Sequence, residues 1–189
     1  MRVAIELMVE GQRPDLLAQV NQDIAELDEL IEELLLASRL DLLEQLERTE
    51  KVDLLAVLAE ESARYGATVS GEEVRLQGDS RMLRRMIRNL LENARRYGAG
   101  SAIEASVLKL VGGGALLQVL DRGPGVAEAE RERIFEPFYR PAGMSESAAG
   151  GVGLGLALVR QIAHHHGGEA RCLPRDHGGT CFEVRLREV

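Results

Sequence analysis

The fold of this chain is set by the stretch Met82-Leu-Arg-Arg-Met-Ile-Arg-Asn-Leu-Leu-Glu-Asn-Ala-Arg-Arg-Tyr97. Its apolar residues recur at intervals of three and four, which predicts an amphipathic helix with Asp79 or Ser80 as its N-cap. Asn89 and Asn93 lie one turn apart on the same side of that helix. Because the Asn amide competes for backbone hydrogen bonds and disfavours helices, two of them here indicate a function. Amide oxygens on one face suit Mg²⁺, although a solvated helix edge also fits the pair.

Composition restricts the class of protein. The chain has 189 residues, of which 45% are hydrophobic but only 3% aromatic, so a packed core has to be aliphatic. A formal net charge of −8 argues against a nucleic-acid-binding surface. No apolar run is long enough to span a bilayer, so we expect a soluble chain that makes no membrane contact of its own. Cys172 and Cys181 are expected to be free thiols, although a disulfide between them stays geometrically open.

Residues 1–42 are predicted to form a helical hairpin, and residues 43–189 a second domain. A short helix is followed by a turn at Gly11 to Pro14 and by a long amphipathic helix. The apolar stripe of the long helix consists of Leu16, Leu17, Val20, Ile24, Leu27, Leu30, Ile31, Leu34 and Leu35. The hairpin alone cannot bury this stripe. We therefore expect a homodimer through a four-helix bundle, with packing of the stripe on the rest of the chain as the alternative.

The second domain mixes helices and strands without a regular β-α-β alternation. Strands are predicted over residues 50–53, 101–110, 115–120, 169–173 and 180–186, and helices over residues 54–65, 82–97, 127–134 and 153–167. Residues 68–70 and 73–77 flank Gly71 and are predicted to form a β-hairpin. This pattern indicates an α+β two-layer sandwich.

A glycine-containing turn, Asp121-Arg-Gly-Pro-Gly125, directly follows a predicted strand. Glycine permits positive φ angles and lets a flat ligand approach the backbone. A carboxylate at the end of the strand can accept a hydrogen bond from an exocyclic amine such as that of adenine. The alternative is an ordinary Gly-Pro turn in which the Asp caps the next element.

A second glycine-rich loop, Gly150-Gly-Val-Gly-Leu-Gly155, precedes a predicted helix and offers backbone N–H groups to phosphate oxygens. It lacks the Gly-Lys-Ser/Thr of a Walker loop, and no strand leads straight into it. Residues 141–149 in front of it are rich in Ser, Ala and Gly, which indicates a lid over a ligand, with a plain flexible connection as the alternative. His164-His-His166 lies at a predicted helix end without acidic or Cys partners at ligand spacing, so we predict no metal site there.

Five motifs in this order resemble the catalytic, ATP-binding domain of bacterial two-component sensor histidine kinases. They are Asn89-Leu-Leu-Glu-Asn-Ala-Arg-Arg-Tyr97 (N box), Asp121-Arg-Gly-Pro-Gly125 (G1 box), Phe135-Glu-Pro-Phe-Tyr-Arg140 (F box), Gly151-Val-Gly-Leu-Gly155 (G2 box) and Gly178-Gly-Thr180. The resemblance covers about residues 50–189, and five ordered motifs are far more specific than any one of them. The hairpin in front is similar to the dimerisation and histidine-phosphotransfer domain of the same kinases.

The resemblance implies a Bergerat-type (GHKL) sandwich, with helices on one face of a mostly antiparallel sheet, that binds ATP and Mg²⁺. Asn89 and Asn93 are then the magnesium ligands. Arg96 contacts phosphate, Tyr97 packs near the adenine, and Asp121 accepts a hydrogen bond from the adenine amine.

The same resemblance assigns roles to the lid and the glycine loops. Gly123 and Gly125 give the nucleotide clearance, and Phe135 and Phe138 anchor the lid. Arg140 approaches the γ-phosphate and is one catalytic candidate, in a reaction that consists of positioning and charge neutralisation. The remaining nucleotide-binding positions are Gly151, Gly153, Leu154, Gly155 and Thr180.

One departure from the family pattern concerns the phosphoacceptor histidine. The four histidines, His164, His165, His166 and His177, all follow the N box. We therefore expect a chain truncated just after the acceptor, which binds ATP and transfers the γ-phosphoryl in trans to a His on an intact hairpin, but cannot phosphorylate itself there. The resemblance also implies a response regulator receiver domain as partner, and a full-length protein in the bacterial inner membrane with this part cytoplasmic.

Two other functions stay open. A chain without the acceptor fits a non-catalytic nucleotide-binding or dimerisation module. A GHKL-type ATPase uses a Glu near the N box to activate water, and Glu92, the second catalytic candidate, occupies such a position. The F box and the hairpin favour the kinase.

Overall fold

The computed structural model describes residues 49–141, 153–176 and 178–187, together with ten residues between positions 16 and 35. These ten residues are all helical. The rest of the predicted hairpin, Gly151 of the G2 box and His177 lie outside the described residues, so the hairpin and the domain boundary at residue 42 stay predictions. Within the described part, no helix combines the length and the apolar character that crossing a bilayer requires.

The described elements follow one another as a strand, a helix, two strands, a long helix and then two pairs of strands separated by a third helix. The helices are α1 (Leu54–Ala63), α2 (Ser80–Tyr97) and α3 (Gly155–His165). The strands are β1 (Glu50–Asp53), β2 (Thr68–Gly71), β3 (Arg75–Gly78), β4 (Glu104–Lys109), β5 (Ala115–Leu120), β6 (Glu169–Pro174) and β7 (Thr180–Leu186). Of the two predicted caps of α2, Asp79 takes the role, because its Oδ1 accepts hydrogen bonds from Arg81 and Met82 N–H.

Five strands form one mixed sheet in the order β2-β4-β5-β7-β6. The β2–β4 pair is parallel, and the other three pairs are antiparallel. β1 and β3 form a separate antiparallel pair, with Val52 opposite Leu76. The predicted β-hairpin over residues 68–77 is therefore wrong, because its two halves pair with different partners. Gly71 makes the β2–β4 approach possible, since a Cβ at this position would collide with the Val107 backbone.

The helices cover one face of the sheet and enclose an aliphatic core. Leu83, Met86 and Leu90 of α2 are fully buried in the same cluster as Leu117 and Val184 of the sheet. Each such Leu contributes about 1.5–3 kcal/mol to the hydrophobic stabilisation of the fold. The predicted α+β sandwich and its aliphatic core are thus confirmed.

A buried ion cluster holds α1 against α2. The Glu61 carboxylate lies 2.8 Å from Arg84 Nη1 and 3.3 Å from Arg88 Nε, and its side chain is 1% exposed. Burial alone would raise the pKa of Glu61, but the hydrogen bonds from the two arginines outweigh it, so the pKa of Glu61 is lowered. Both arginines lie roughly 100–140° from Asn89 around the helix axis. α2 therefore packs on α1 with one side and presents Asn89 on another.

The helix predicted over residues 127–134 is wrong. The segment instead forms two short 3₁₀ turns, Glu128–Glu130 and Arg133–Phe135. Arg131 Nε donates to the Val126 carbonyl at 3.1 Å, and Arg160 Nη2 donates to the Glu132 carbonyl at 2.8 Å. These guanidinium groups occupy carbonyl oxygens that a continuous helix would use for its own hydrogen bonds.

The two cysteines are buried free thiols on neighbouring strands. Cys172 lies opposite Phe182, and Cys181 lies opposite Leu173, so the two cysteines differ by one position in register. Because successive side chains point to opposite faces of a sheet, the two sulfur atoms lie on different faces. This register explains why the predicted free thiols are found and the alternative disulfide is not.

Candidate functional site

Asn89 lies at the junction of α2 with the first turn of α3. It is 4% exposed, and its Nδ2–H donates to the Gly155 carbonyl at 3.0 Å. Its Oδ1 is buried and has no hydrogen-bond partner among the described residues. Leaving a buried carbonyl oxygen without a partner costs about 1–3 kcal/mol. A cation or donor that reached Oδ1 would remove this cost, so this oxygen has the chemistry of a ligand position.

The other predicted residues of α2 differ in their surroundings. Asn93 and Tyr97 are half-buried, and Arg96 is exposed. Glu92 is bound on the α1 side of the helix, because its Oε1 accepts a hydrogen bond from Tyr65 Oη at 3.0 Å. Burial and the adjacent Glu92 carboxylate raise the pKa of Tyr65, so the phenol keeps its proton and its role as donor.

Asp121 leaves β5 beside the C-terminal end of α2. It is 2% exposed, and its main-chain N–H donates to the Thr180 carbonyl at 3.0 Å. Its Oδ1 accepts from Gly123 N–H at 2.7 Å. These bonds hold both the backbone of Asp121 and the orientation of its carboxylate. The structure thus brings three predicted site residues together at the start of β7.

Close backbone contacts explain the glycines around Asp121. A Cβ at position 123 would collide with the Tyr97 carbonyl, and Gly125 has a φ of +79°, which favours glycine. The turn therefore closes tightly against the last residue of α2. Tyr97 lies eight positions after Asn89, which corresponds to about 12 Å along the helix axis. The Asp121 turn therefore lies at the C-terminal end of α2, and Asn89 lies near the middle of the helix.

Phe135 and Phe138 occupy different environments. Phe135 is buried, with its ring edge-on to Phe182 at 6.4 Å between centroids and the Arg160 guanidinium 4.9 Å from its own centroid. Phe138 is 59% exposed and has a φ of +64°, a strained conformation for a bulky residue that costs about 1–3 kcal/mol. Its N–H donates to the Gly153 carbonyl at 3.0 Å. This bond joins the F box to the G2 box at the two ends of the predicted lid.

The described end of the G2 box leads into α3. Gly153 has a φ of +86°, and Leu154 is buried, with its carbonyl accepting the Leu158 N–H at 2.9 Å. Gly155 is the first residue of α3 and contacts Asn89 as described above. Arg140, the predicted γ-phosphate ligand, is half-buried and lies two residues beyond Phe138. The N-terminus of α3 therefore meets the Asn89 side of α2.

His166 directly follows α3 and is buried. The sequence motifs do not predict its role. Its Nε2 accepts a hydrogen bond from Asp79 N–H at 3.1 Å, and its Nδ1 lies 2.8 Å from the Ile162 carbonyl. Both contacts are satisfied by a neutral ring with its proton on Nδ1. Burial lowers the pKa of His166, which favours that neutral form. The sequence feature that corresponds to this contact is Gly78, because a Cβ at position 78 would collide with the His166 ring.

Comparison with known proteins agrees with this arrangement. Residues 78–189 match the family described as histidine kinase-, DNA gyrase B-, and HSP90-like ATPase. The sensor protein RstB of Escherichia coli is 40% identical over an aligned length of 174 residues, which covers 86% of this chain and 39% of RstB. The chain spans about two fifths of the length of the curated relatives it matches.

Two solved structures have the same fold with more than a quarter of their residues identical. The mycobacterial sensor histidine kinase MprB has a TM-score of 0.65 at 29% identity, over 74% of this chain and 97% of that one. The ATP binding domain of PrrB from Mycobacterium tuberculosis has a TM-score of 0.61 at 27% identity, over 75% of this chain and 98% of that one. The family match includes α2, the Asp121 turn and α3. The chain therefore belongs to the histidine kinase-, DNA gyrase B- and HSP90-like ATPases, and the matched part is an ATP-binding catalytic domain of the sensor histidine kinase type.

Proposed function

We propose that this chain binds Mg-ATP along the edge of α2 and transfers the γ-phosphoryl group to a histidine on another polypeptide. The observation that carries the proposal is the buried Oδ1 of Asn89, which has no partner among the described residues although Nδ2 is held by Gly155. An amide fixed by its nitrogen presents its oxygen in a defined direction. Such an oxygen beside the N-terminus of α3 suits a ligand that combines a cation with phosphate.

The residues present fit a magnesium ion. Mg²⁺ prefers oxygen ligands, keeps several waters and is held in phosphoryl-transfer sites by one or two protein oxygens together with substrate phosphates. Asn89 and Asn93 would supply the amide oxygens. The bound ion would supply neutralisation of the charge on the phosphates.

The nucleotide would extend from the Asp121 turn toward Asn89. In this orientation the Asp121 carboxylate accepts from the adenine amine, Gly123 and Gly125 leave room for the base, and Tyr97 packs beside it. The separation of about 12 Å along α2 leaves room for an extended nucleotide. Further contacts are proposed for Arg96, Phe135, Phe138, Arg140, Gly151, Gly153, Leu154, Gly155 and Thr180.

Transfer would proceed by positioning rather than by covalent chemistry of this chain. A neutral imidazole nitrogen of the acceptor attacks the γ-phosphorus, the bond to the β–γ bridging oxygen breaks, and ADP leaves. The imidazole proton passes to a base on the acceptor side. Arg140 is proposed to stabilise charge on the γ-phosphate. The acceptor is placed on an intact hairpin in trans because every histidine of this sequence lies at or beyond position 164.

Dimerisation through residues 1–42 is proposed from the apolar stripe. Among its described members, Ile24, Leu27, Ile31 and Leu34 are 44–53% exposed, which leaves apolar surface for a second copy. The receiver domain of a response regulator is the proposed downstream partner. We place this part in the cytoplasm, with the full-length protein in the bacterial inner membrane.

The position of Glu92 bears on the ATPase alternative. An ATPase needs a carboxylate that can orient water beside the γ-phosphate, but Glu92 Oε1 is engaged by Tyr65 on the α1 side. This observation favours the kinase, and it makes Glu92 the weaker of the two catalytic candidates. The non-catalytic module differs from the kinase only in phosphoryl transfer.

The decisive experiment mixes the full chain with a separate hairpin polypeptide that keeps its acceptor His, in the presence of Mg²⁺ and γ-labelled ATP. We expect acid-labile label on the hairpin histidine. Asn89→Ala should abolish the label, whereas Gln118→Ala, which removes an amide bound to Glu183, should preserve it. Nucleotide binding without any transfer would establish the non-catalytic module instead. Steady ATP hydrolysis in the absence of the hairpin would establish the ATPase.

A further inference from the structure

Arg175, in the connection between β6 and β7, bridges two distant parts of the sheet. Its Nη2 donates to Glu104 Oε1 at 2.6 Å, and its Nη1 donates to the Asp121 carbonyl at 3.4 Å. The Arg175 side chain is only 13% exposed. The guanidinium therefore touches the residue that is proposed to read adenine and, at the same time, a carboxylate of another strand.

The strand order explains the significance of this bridge. Glu104 is the first residue of β4, and Arg175 directly follows β6, so β5 and β7 lie between them in the sheet. Glu104 lies opposite Leu120, the residue before Asp121. The arginine thus spans the ends of β7 and β5 at the point where Asp121 leaves the sheet.

The connection that carries Arg175 contains two glycines with positive φ angles. Gly178 and Gly179 have φ angles of +95° and +106°, and glycine loses more conformational freedom on folding than any other residue. Gly179 packs closely against Asp121, so a Cβ at position 179 would collide with the Asp121 carbonyl. The contact of Arg175 with Glu104 therefore holds one end of a connection whose other end packs on the Asp121 backbone.

We propose that Arg175 is a positioning residue that fixes Asp121 for recognition of the adenine amine. This inference rests on the proposed function, since it needs a nucleotide whose base meets Asp121. Arg175 acts through the Asp121 backbone and does not contact the base. Its role is therefore in base selectivity and not in phosphoryl transfer.

The charges of Arg175 and Glu104 favour the contact between them. The hydrogen bond from Arg175 lowers the pKa of Glu104, so the carboxylate is ionised at neutral pH. Glu104 is about half exposed, so the pair is worth only about 0.2–1 kcal/mol. A displacement of Asp121 limited by that energy corresponds to a loss of about 1.4-fold to fivefold in affinity.

The test compares two nucleotides that differ at the group Asp121 is proposed to read. Dissociation constants of ATP and of inosine triphosphate, which carries an oxygen in place of the amine, are measured by calorimetry with Mg²⁺ and the full chain. For Arg175→Gln we expect the dissociation constant of ATP to rise about 1.4-fold to fivefold and that of inosine triphosphate to stay unchanged. Glu104→Gln should change the two constants in the same way, and Arg175→Lys should partly restore ATP binding.

The matched control is Arg185→Gln, which breaks a comparable pair with Glu183. It should leave both constants unchanged. An equal weakening of both nucleotides by Arg175→Gln and Glu104→Gln, or no effect of either change, would overturn the proposal. Failure of the proposed function looks different, because the unaltered chain would then bind neither nucleotide or would bind both equally well.

Discussion

Replacing Asn89 by Ala should make the nucleotide-free protein slightly more stable and should abolish its stabilisation by Mg-ATP. The change deletes the Asn89–Gly155 hydrogen bond, which is worth about 0.5–1.5 kcal/mol. It also deletes the buried Oδ1, which has no partner within the described part of the chain, a situation that costs about 1–3 kcal/mol. Ala further improves the helix by up to about 0.7 kcal/mol. The Gly155 carbonyl can keep a partner within α3, and the midpoints of these three ranges sum to a gain of about 1 kcal/mol.

The assay is urea unfolding of both proteins with and without a non-hydrolysable ATP analogue and Mg²⁺. At one hundred times its dissociation constant, the analogue adds about 2.7 kcal/mol to the original protein. It should add nothing to Asn89→Ala, so the order of the two midpoints reverses when nucleotide is present. The m-values should agree, because the surface exposed on unfolding is the same.

A clear loss of stability in nucleotide-free Asn89→Ala would refute this reasoning. The Asn89 amide would then be an ordinary structural group, and the lack of a partner for Oδ1 would have no functional meaning. Gln118→Ala is the control, since it removes a hydrogen-bonded amide from the sheet and should lower stability while the nucleotide still protects.

Three further predictions concern the turn, the buried histidine and the thiols. Gly123→Ala forces a Cβ against the Tyr97 carbonyl, so it should cost about 1–3 kcal/mol in urea unfolding and weaken binding of the ATP analogue in calorimetry. Burial lowers the pKa of His166 below its usual 6.5, so the unfolded chain binds this proton more readily, and thermal stability should fall as the pH drops below about 6.5. Burial raises the pKa of Cys172 to about 12 and of Cys181 to about 11, so Ellman's reagent at pH 8 should react with both only after denaturation.

The predictions for the turn and for the histidine each have a control variant. Gly100→Ala introduces a Cβ into open space at a positive φ, so it measures conformational strain without a collision. His166→Gln should remove the loss of stability that begins as the pH falls below about 6.5, and His164→Gln, which changes an exposed ring, should retain it. Rapid reaction of a native thiol, a pH-independent stability, or normal nucleotide binding by Gly123→Ala would each contradict the corresponding reasoning.

The parts of the fold that depend on local periodicity can be predicted from the sequence. α2 carries a long apolar stripe and an Asp cap, and β5 and β7 are short apolar runs that each directly follow a glycine. The family motifs then identify the Asp121 turn and the start of α3, because these features repeat a known spacing. The structure confirms the sandwich that these elements build.

The parts of the fold and of the site that the sequence does not predict depend on contacts between residues far apart in sequence. β2 and β3 have the local pattern of a hairpin, but their partners are β4 and β1, a choice that no neighbouring residue encodes. The two 3₁₀ turns depend in part on Arg160, which lies more than 25 residues away and takes the Glu132 carbonyl. The engagement of Glu92 by Tyr65 likewise cannot be read from the N box, because it requires the packing of α1 on α2.

The hydrogen bond between Phe138 and Gly153 has a consequence for insertions and deletions. It closes the segment 139–152 at both ends, independently of the number of residues between them. The entropy of closing a loop grows only logarithmically, so doubling the length of this segment costs about 0.6 kcal/mol. Additions or losses of residues there should leave Asn89 and Asp121 where they are. In alignments of homologous domains, gaps should therefore be concentrated between positions 138 and 153.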